Sequence, residues 1–277
     1  RELPLLAEEA RVASACGVDA ILVQDWGVLD TLRSLIPDVP LHASTQMSLH
    51  TLSGVKEAAR LGMTRAVLAR ELSRGEIAEI CQKSPIEIET FVHGALCMCY
   101  SGQCEMSAVI GRRSGNRGAC AQPCRLPYGF SGRADGHPLS LKDANLASFV
   151  PEMMDMGVAC LKIEGRMKRP EYVAAAVNAV KSAINGNLDE KDEFDLRSVF
   201  SRSGFTSGYF DGELGKSMFG TRQKEDVVSA AGVLKRLSHL YDNENPLVPI
   251  DFKFEFKAGK PAVLSASALG KTARAEG

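Results

Sequence analysis

The feature that most constrains this chain is the alternation of short apolar runs with helical patterns of ten or more residues. Ala20 to Val23 precedes Leu29 to Leu35, Leu41 to Ala43 precedes Leu52 to Leu61, and Ala66 to Ala69 precedes Glu76 to Cys81. Apolar runs follow at Ile86 to Val92, Leu139 to Leu141 and Cys160 to Ile163. Strands joined by crossover helices must run parallel, so the pattern predicts about six parallel strands in an α/β fold. Six is short of eight, and the chain starts abruptly at Arg1 inside a helix-like pattern. The expected fold is therefore a partial (β/α)8 TIM-like barrel lacking its first βα units. A targeting segment lost with a missing N-terminus belongs to the same expectation.

The later sequence changes character. A helix opens at Pro170, where a missing N–H costs nothing, and carries Tyr172, Val173, Ala176, Val177 and Val180 at helical spacing. Asn187 to Asp195 is polar and reads as a linker or loop. From Pro249 the pattern turns to strict alternation, with Ile250, Phe252, Phe254 and Phe256 against Asp251, Lys253, Glu255 and Lys257. That predicts a half-buried hairpin opening a second, β-rich domain. The expected division is 1–186 for the partial barrel with a cysteine-rich insert at 94–137, 187–245 for a linker and turn-rich extension, and 246–277 for the truncated β-rich domain.

Composition narrows the function classes. With 45% hydrophobic and 24% charged residues the chain is globular, and a net charge of -1 gives it no long-range pull on nucleic acid or anionic membrane. Such a partner must meet a local patch. No apolar run reaches the roughly 18 residues of a membrane span, so a cytoplasmic location without a membrane partner is expected.

Eight cysteines are many for such a protein. Cys16, Cys81 and Cys160 lie singly in apolar patterns, where a thiol behaves as a small hydrophobe. Cys97, Cys99, Cys104, Cys120 and Cys124 crowd into one Gly-rich stretch, and four of them give C-x6-C-x15-C-x3-C. Thiolates select zinc, copper(I) or iron–sulfur clusters. Spacing leaves the choice open: only Cys120 and Cys124 form a zinc-like close pair, and the wider gap from Cys97 to Cys104 suits a cluster. Between Glu105 and Asp135 there is no acid, but Arg112, Arg113, Arg117, Arg125 and Arg133 are present. These guanidiniums solvate the loop, offset a thiolate cluster or grip phosphates.

The run Glu89-Thr-Phe91-Val-His93-Gly94-Ala95-Leu96-Cys97 with Gly102-Gln103-Cys104-Glu-Met106-Ser107 resembles the defining motif of the collagenase-like peptidase family U32. The resemblance extends through Leu41 to Met47, Leu68 to Ser73, Asn116 to Arg125 and Leu161 to Lys168. It implies a barrel that normally starts several βα units earlier. It also implies either peptidase activity, for which no agreed nucleophile exists, or the chemistry of relatives that hydroxylate RNA bases or a quinone precursor. Those relatives hold a 4Fe-4S cluster through four cysteines, with prephenate, a small carboxylic acid, implicated as co-substrate in the RNA cases. Carried over by motif, the ligands are Cys97, Cys104, Cys120 and Cys124, with Cys160 a rival for the last place and Cys99 spare.

Charged residues at strand ends complete the candidate site. Lys162, Glu164 and Arg166 close one strand, with Lys162 or Arg166 to hold a small carboxylate and Glu164 to move a proton. His93 beside Cys97 imitates a Cys–His pair, which is the peptidase alternative. His42, Gln46, Arg70, Glu71, Arg117 and Arg125 are the expected substrate contacts. The partners expected are RNA or a small molecule, a peptide if the protein is a protease, and RNA again if zinc merely stiffens a binding module.

Overall fold

The computed structural model describes residues 2–130, 133–134, 136–165, 168–199, 203–221, 231–241, 248–259 and 261–276. Two compact units result, Arg1–Leu237 and Ser238–Gly277.

In the first unit helix and strand alternate. The order is α1 Leu3–Ala15, β1 Ile21–Val23, α2 Trp26–Leu35, β2 Leu41–Ala43, α3 Leu52–Arg60, β3 Arg65–Val67, α4 Arg74–Lys83 and β4 Glu87–Ala95. The helices start where short polar side chains satisfy free N–H groups. Asp25 caps α2 and Thr51 caps α3, while Ser73 and Glu76 form a reciprocal capping box on α4, each device contributing about 1 kcal/mol. After β4 come α5 Met106–Gly111, a small ribbon of β5 Gly129–Phe130 and β6 Arg133–Ala134, then β7 Asp143–Asn145, α6 Val150–Asp155 and β8 Cys160–Ile163. Helices α7 Pro170–Ile184 and α8 Glu190–Val199, strand β9 Phe205–Thr206 and helix Ala231–Leu237 complete the unit. As expected, α7 begins at Pro170. Part of the polar stretch read as a loop is helix α8, because Asp192, Asp195 and Leu196 are buried and Asn178 of α7 donates to Asp192 at 2.7 Å.

Strands β1, β2, β3, β4 and β8 pair in that order, all parallel. That is five, not six. Leu139 to Leu141 forms no strand beyond a single antiparallel bridge from Leu141 to Phe219. The next strand, β7, runs antiparallel to the end of β4, because the insert brings the chain back without a packed crossover helix. Adjacent carbonyls at that end of β4 serve two strands, Val92 accepting from Leu146 and His93 from Glu164, both at 2.8 to 2.9 Å. The register against β8 shifts between Phe91 and His93, an irregularity at the point where β4 also takes up β7.

One face of the sheet is apolar, with Val23, Leu41, Ala43, Ala66, Ile88 and Val92 buried against α2, α3 and α4. Each of the larger side chains, Val23, Leu41, Ile88 and Val92, contributes about 1.5 to 3 kcal/mol. Among the described residues no helix is long and apolar enough to cross a membrane.

The second unit is a meander of β10 Asp251–Glu255, β11 Val263–Ala268 and β12 Lys271–Glu276, all antiparallel. The alternation gives a strand as read, but the expected half-burial does not hold: Phe252 and Phe254 stand exposed, opposite Ala266 and Leu264. A single three-stranded layer has no second layer of its own to cover that face.

Candidate functional site

The other face of the parallel sheet is polar. Register aligns His42 of β2 with Arg65 of β3 and Glu87 of β4, then Glu89 with Cys160 and Phe91 with Lys162 of β8. Because side chains alternate along a strand, these residues share one face. Glu89, buried, takes Lys162 Nζ at 2.7 Å and Arg65 Nη1 at 3.5 Å. Burial, then the Arg65 charge, lowers the pKa of His42 and favours the neutral ring.

Arg70, just past β3, is the hub of the C-terminal edge. Its Nη2 donates to Glu164 Oε2 at 3.0 Å, its Nη1 to Cys97 Sγ at 3.8 Å, and its guanidinium lies 4.0 Å over the Phe91 ring. Lys162 Nζ is 5.8 Å from the same ring, so Phe91 carries two cations. Lys162 and Glu164 were expected to work together, yet each has its own partner, Glu89 and Arg70. Next to Arg70, Glu71 accepts from Ser101 Oγ at 3.0 Å, and Ser101 Oγ accepts from Arg70 N at 3.2 Å. Among the described residues Arg70 Nε and Glu71 Oε2 are buried without hydrogen-bond partners.

The insert is stapled to the strand ends. Gln24, after β1, donates to Asn116 O at 2.8 Å, and Asn116 donates to Gly102 O at 3.0 Å. The backbone of Gln46 packs on Gly102, where a Cβ would stand 2.3 Å from Gln46 O; with φ at 82°, only glycine suits that position. Gly94, at φ 126°, faces Glu164 in the same way.

All eight cysteines are free thiols. Burial raises the pKa of Cys97; Arg70 and Arg125 pull it down, and the charges of Cys124 and Cys120 push it up. Burial, then Cys104, raises Cys99. Ser107 Oγ reaches Cys120 Sγ at 3.8 Å. Cys97 thus senses Cys124 and Cys120, and Cys99 senses Cys104, but among the described residues no three His, Cys, Asp or Glu groups stand close enough together to hold a metal ion. Cys160, whose thiol is raised by burial and then by Glu89, lies on the polar sheet face. The donors match an iron–sulfur cluster or zinc in kind: soft sulfur, unpaired, beside two arginines.

Other expected residues have other roles. His93 is 1% exposed, its ring 5.5 Å from Tyr172 and 5.3 Å from Phe205, and burial takes its pKa to about 4. That is a packing position, at odds with the catalytic expectation. Arg125 donates to the carbonyls of Leu141, at 2.8 Å, and Leu96, so it ties the insert together and has no free fork for phosphate. Arg117 forms an exposed pair with Glu2 at 2.7 Å. Arg166 lies outside the described residues. Phe91, Ser101 and Tyr209 escaped sequence reasoning, since only folding brings Tyr209 to the cavity that Arg70, Phe91 and Leu96 also line.

Residues 1–219 match the model of a family described as Peptidase family U32. A Bacillus subtilis protein named tRNA hydroxylation protein P1 is 32% identical over 275 residues, covering 92% of this chain and 64% of its own length. An Escherichia coli 23S rRNA 5-hydroxycytidine synthase is 40% identical over 200 residues, 70% of this chain and 30% of that protein. A protein of Porphyromonas gingivalis named collagenase is 33% identical over 240 residues, 76% and 57% respectively. The chain spans less than two thirds of the length of each. Among solved structures a U32 peptidase aligns over 32% of this chain and 37% of its own at 22% identity, with a TM-score of 0.29, too low to carry weight.

Proposed function

The chain belongs to peptidase family U32, and from that membership we propose that it is the sheet-and-insert part of an enzyme that hydroxylates RNA bases. Cys97, Cys104, Cys120 and Cys124 hold its 4Fe-4S cluster. The observation that carries this reading is the company of Cys97: Arg70 donates to its sulfur, and the charges that bear on it are Arg70, Cys124, Arg125 and Cys120, while His93 is enclosed by Tyr172 and Phe205. A cysteine peptidase needs a base in reach of its nucleophile, whereas a cluster needs thiolates and offsetting positive charge. The names of the Bacillus and Escherichia relatives point the same way.

When bound, a cluster on these four cysteines would handle electrons or oxygen-atom chemistry. Arg70 holds the carboxylate of prephenate or a similar small acid by its positive charge, stays level on Phe91, and is held in place by Glu164. Glu71, with its free Oε2, and Glu164 accept or return a proton at the bound molecule. Lys162 and Arg65 neutralise Glu89 on the sheet floor and keep that charge from repelling the acid. The five-strand parallel arc belongs to an eight-stranded barrel, which puts this site where barrel chemistry sits, at the strand C-termini. We assign residues 1–186 to the barrel part with its insert, 187–245 to an extension and 246–277 to a β-rich part. We assign the protein to the cytoplasm with its RNA.

The second reading, peptide hydrolysis, rests on the collagenase name of the Porphyromonas relative. Anaerobic purification followed by absorption, iron and sulfide measurement, then incubation with bulk RNA and nucleoside mass spectrometry, tests the proposal. Brown, iron-loaded protein that adds the mass of one oxygen to a base is the expected result. Colourless protein with zinc supports a stiffened RNA-binding module instead, and metal-free protein that cleaves gelatin supports the peptidase; either overturns the proposal.

A further inference from the structure

We infer that Tyr100 is the platform on which the target RNA base stacks when it is drawn out of its strand to reach the site; the inference rests on the RNA reading above. An exposed aromatic alone means little, because scattered apolar side chains are normal on a surface. Tyr100, 68% exposed, is different in how it is mounted. Its neighbour Ser101 is 3% exposed and tied three ways: Oγ to Glu71 at 3.0 Å, Oγ from Arg70 N at 3.2 Å, and O from Ser48 Oγ at 2.6 Å. The turn closes with Gln103 N donating to Tyr100 O at 3.0 Å, and Gly102 locks it against Gln46. The backbone under Tyr100 is therefore rigid while its ring stands in solvent.

The ring also stands in the right place. Ser101 and Arg70 share a hydrogen bond, so Tyr100 is one residue from the hub of the site. Tyr209, which lines the cavity with Arg70 and Phe91, senses the charges of Glu71, Tyr100 and Cys97 together, burial being the larger influence on its phenol. A base that must meet a reactive centre has to leave its stack, and an aromatic face replaces the lost stacking with any base. Single-stranded RNA is read in this way, with bases splayed onto aromatic side chains. Past Glu105, the stretch of the insert from Met106 to Ala134 carries no acid of its own, so it adds no negative charge against the phosphates flanking the base.

The test measures binding of two short single-stranded RNAs of equal length, one bearing bases and one abasic at its central positions, to the purified protein and to Tyr100→Phe and Tyr100→Ala. The unsubstituted protein and Tyr100→Phe are expected to prefer the base-bearing strand by about tenfold or more. Tyr100→Ala is expected to lose that preference and keep its affinity for the abasic strand. Preference retained by Tyr100→Ala overturns the inference, as does equal weakening on both strands, the mark of a structural defect. Equal binding of both strands by the unsubstituted protein also overturns it, leaving the RNA reading intact. Absence of RNA binding overturns both.

Discussion

A Cβ on Gly94 would lie 2.6 Å from the Cβ of Glu164 and 2.9 Å from its carbonyl oxygen. The approach is fixed by the hydrogen bond from Glu164 N to His93 O, 2.9 Å long, and by Tyr172, whose hydroxyl donates to Glu164 O at 3.1 Å. The glycine of the His93-Gly94 pair is what lets Glu164 come close enough to meet Arg70.

Gly94→Ala is expected to destabilise the protein by roughly 2 to 4 kcal/mol, since it combines a positive φ with a backbone clash. Thermal melting reads the loss. Glu164→Gln, which keeps the shape but leaves Arg70 without its anion, should cost about 1 to 3 kcal/mol of stability as well as activity. Equal melting of Gly94→Ala and the unsubstituted protein would refute the packing argument.

Arg70→Met leaves Glu164 without its cation and uncovers Phe91. About 1 to 3 kcal/mol of stability should go, because both side chains of the pair are mostly shielded from water. Arg70→Lys restores charge but not the fork, so stability should largely return while kcat/KM stays down by about tenfold or more. Full activity in the lysine variant would remove Arg70 from substrate recognition.

His93 gives a pH signature. Its folded pKa, about 4, lies below the unfolded value near 6.5, so the folded state excludes a proton that the unfolded chain takes up. The stability this provides is complete above pH 6.5 and is lost as pH falls toward 4, on the order of 3 kcal/mol in all. The melting temperature of His93→Phe should decline less steeply over that interval. Parallel curves for the two proteins would show that His93 does not titrate in this way.

Removing ligands one at a time separates the cysteines. Serine at 97, 104, 120 or 124 should cost the iron, measured per chain after anaerobic reconstitution, whereas Cys99→Ser and Cys160→Ser should keep it. Loss of iron in Cys160→Ser with retention in Cys124→Ser would move the fourth ligand to β8.

Arg112 and Arg113 follow the exposed end of α5, where Val109 and Ile110 are also exposed, and Arg113 donates to Ala119 O at 3.0 Å. Their double replacement by glutamine should weaken single-stranded RNA binding uniformly across sequences. The salt slope should flatten by about 0.7 for each phosphate contact removed. An unchanged slope would take these arginines out of the RNA path.

The α/β alternation was legible because strand and helix periods are local: Ile21 to Val23, Leu41 to Ala43 and Cys160 to Ile163 are apolar runs of strand length, and Pro170 and Ser73 mark helix starts without help from distant residues. The cysteine spacing and the acid-free stretch were equally plain, being properties of the chain itself. Direction and partnership were not. Nothing local distinguishes β7 from a further parallel strand, since antiparallel pairing arises from how the insert folds back on β4. His93 and Arg125 carry the residue types of a working site, but one is enclosed by Tyr172 and Phe205 and the other is spent on carbonyls of Leu96 and Leu141, contacts set by burial and hydrogen-bond satisfaction across long separations. Phe91, Ser101 and Tyr209 join Arg70 only in three dimensions. The sequence by itself determined the elements and the chemical inventory, because propensity and periodicity act over a few residues. The tertiary structure alone decided which charges meet, because ion pairs and close packing depend on distances that the linear order does not contain.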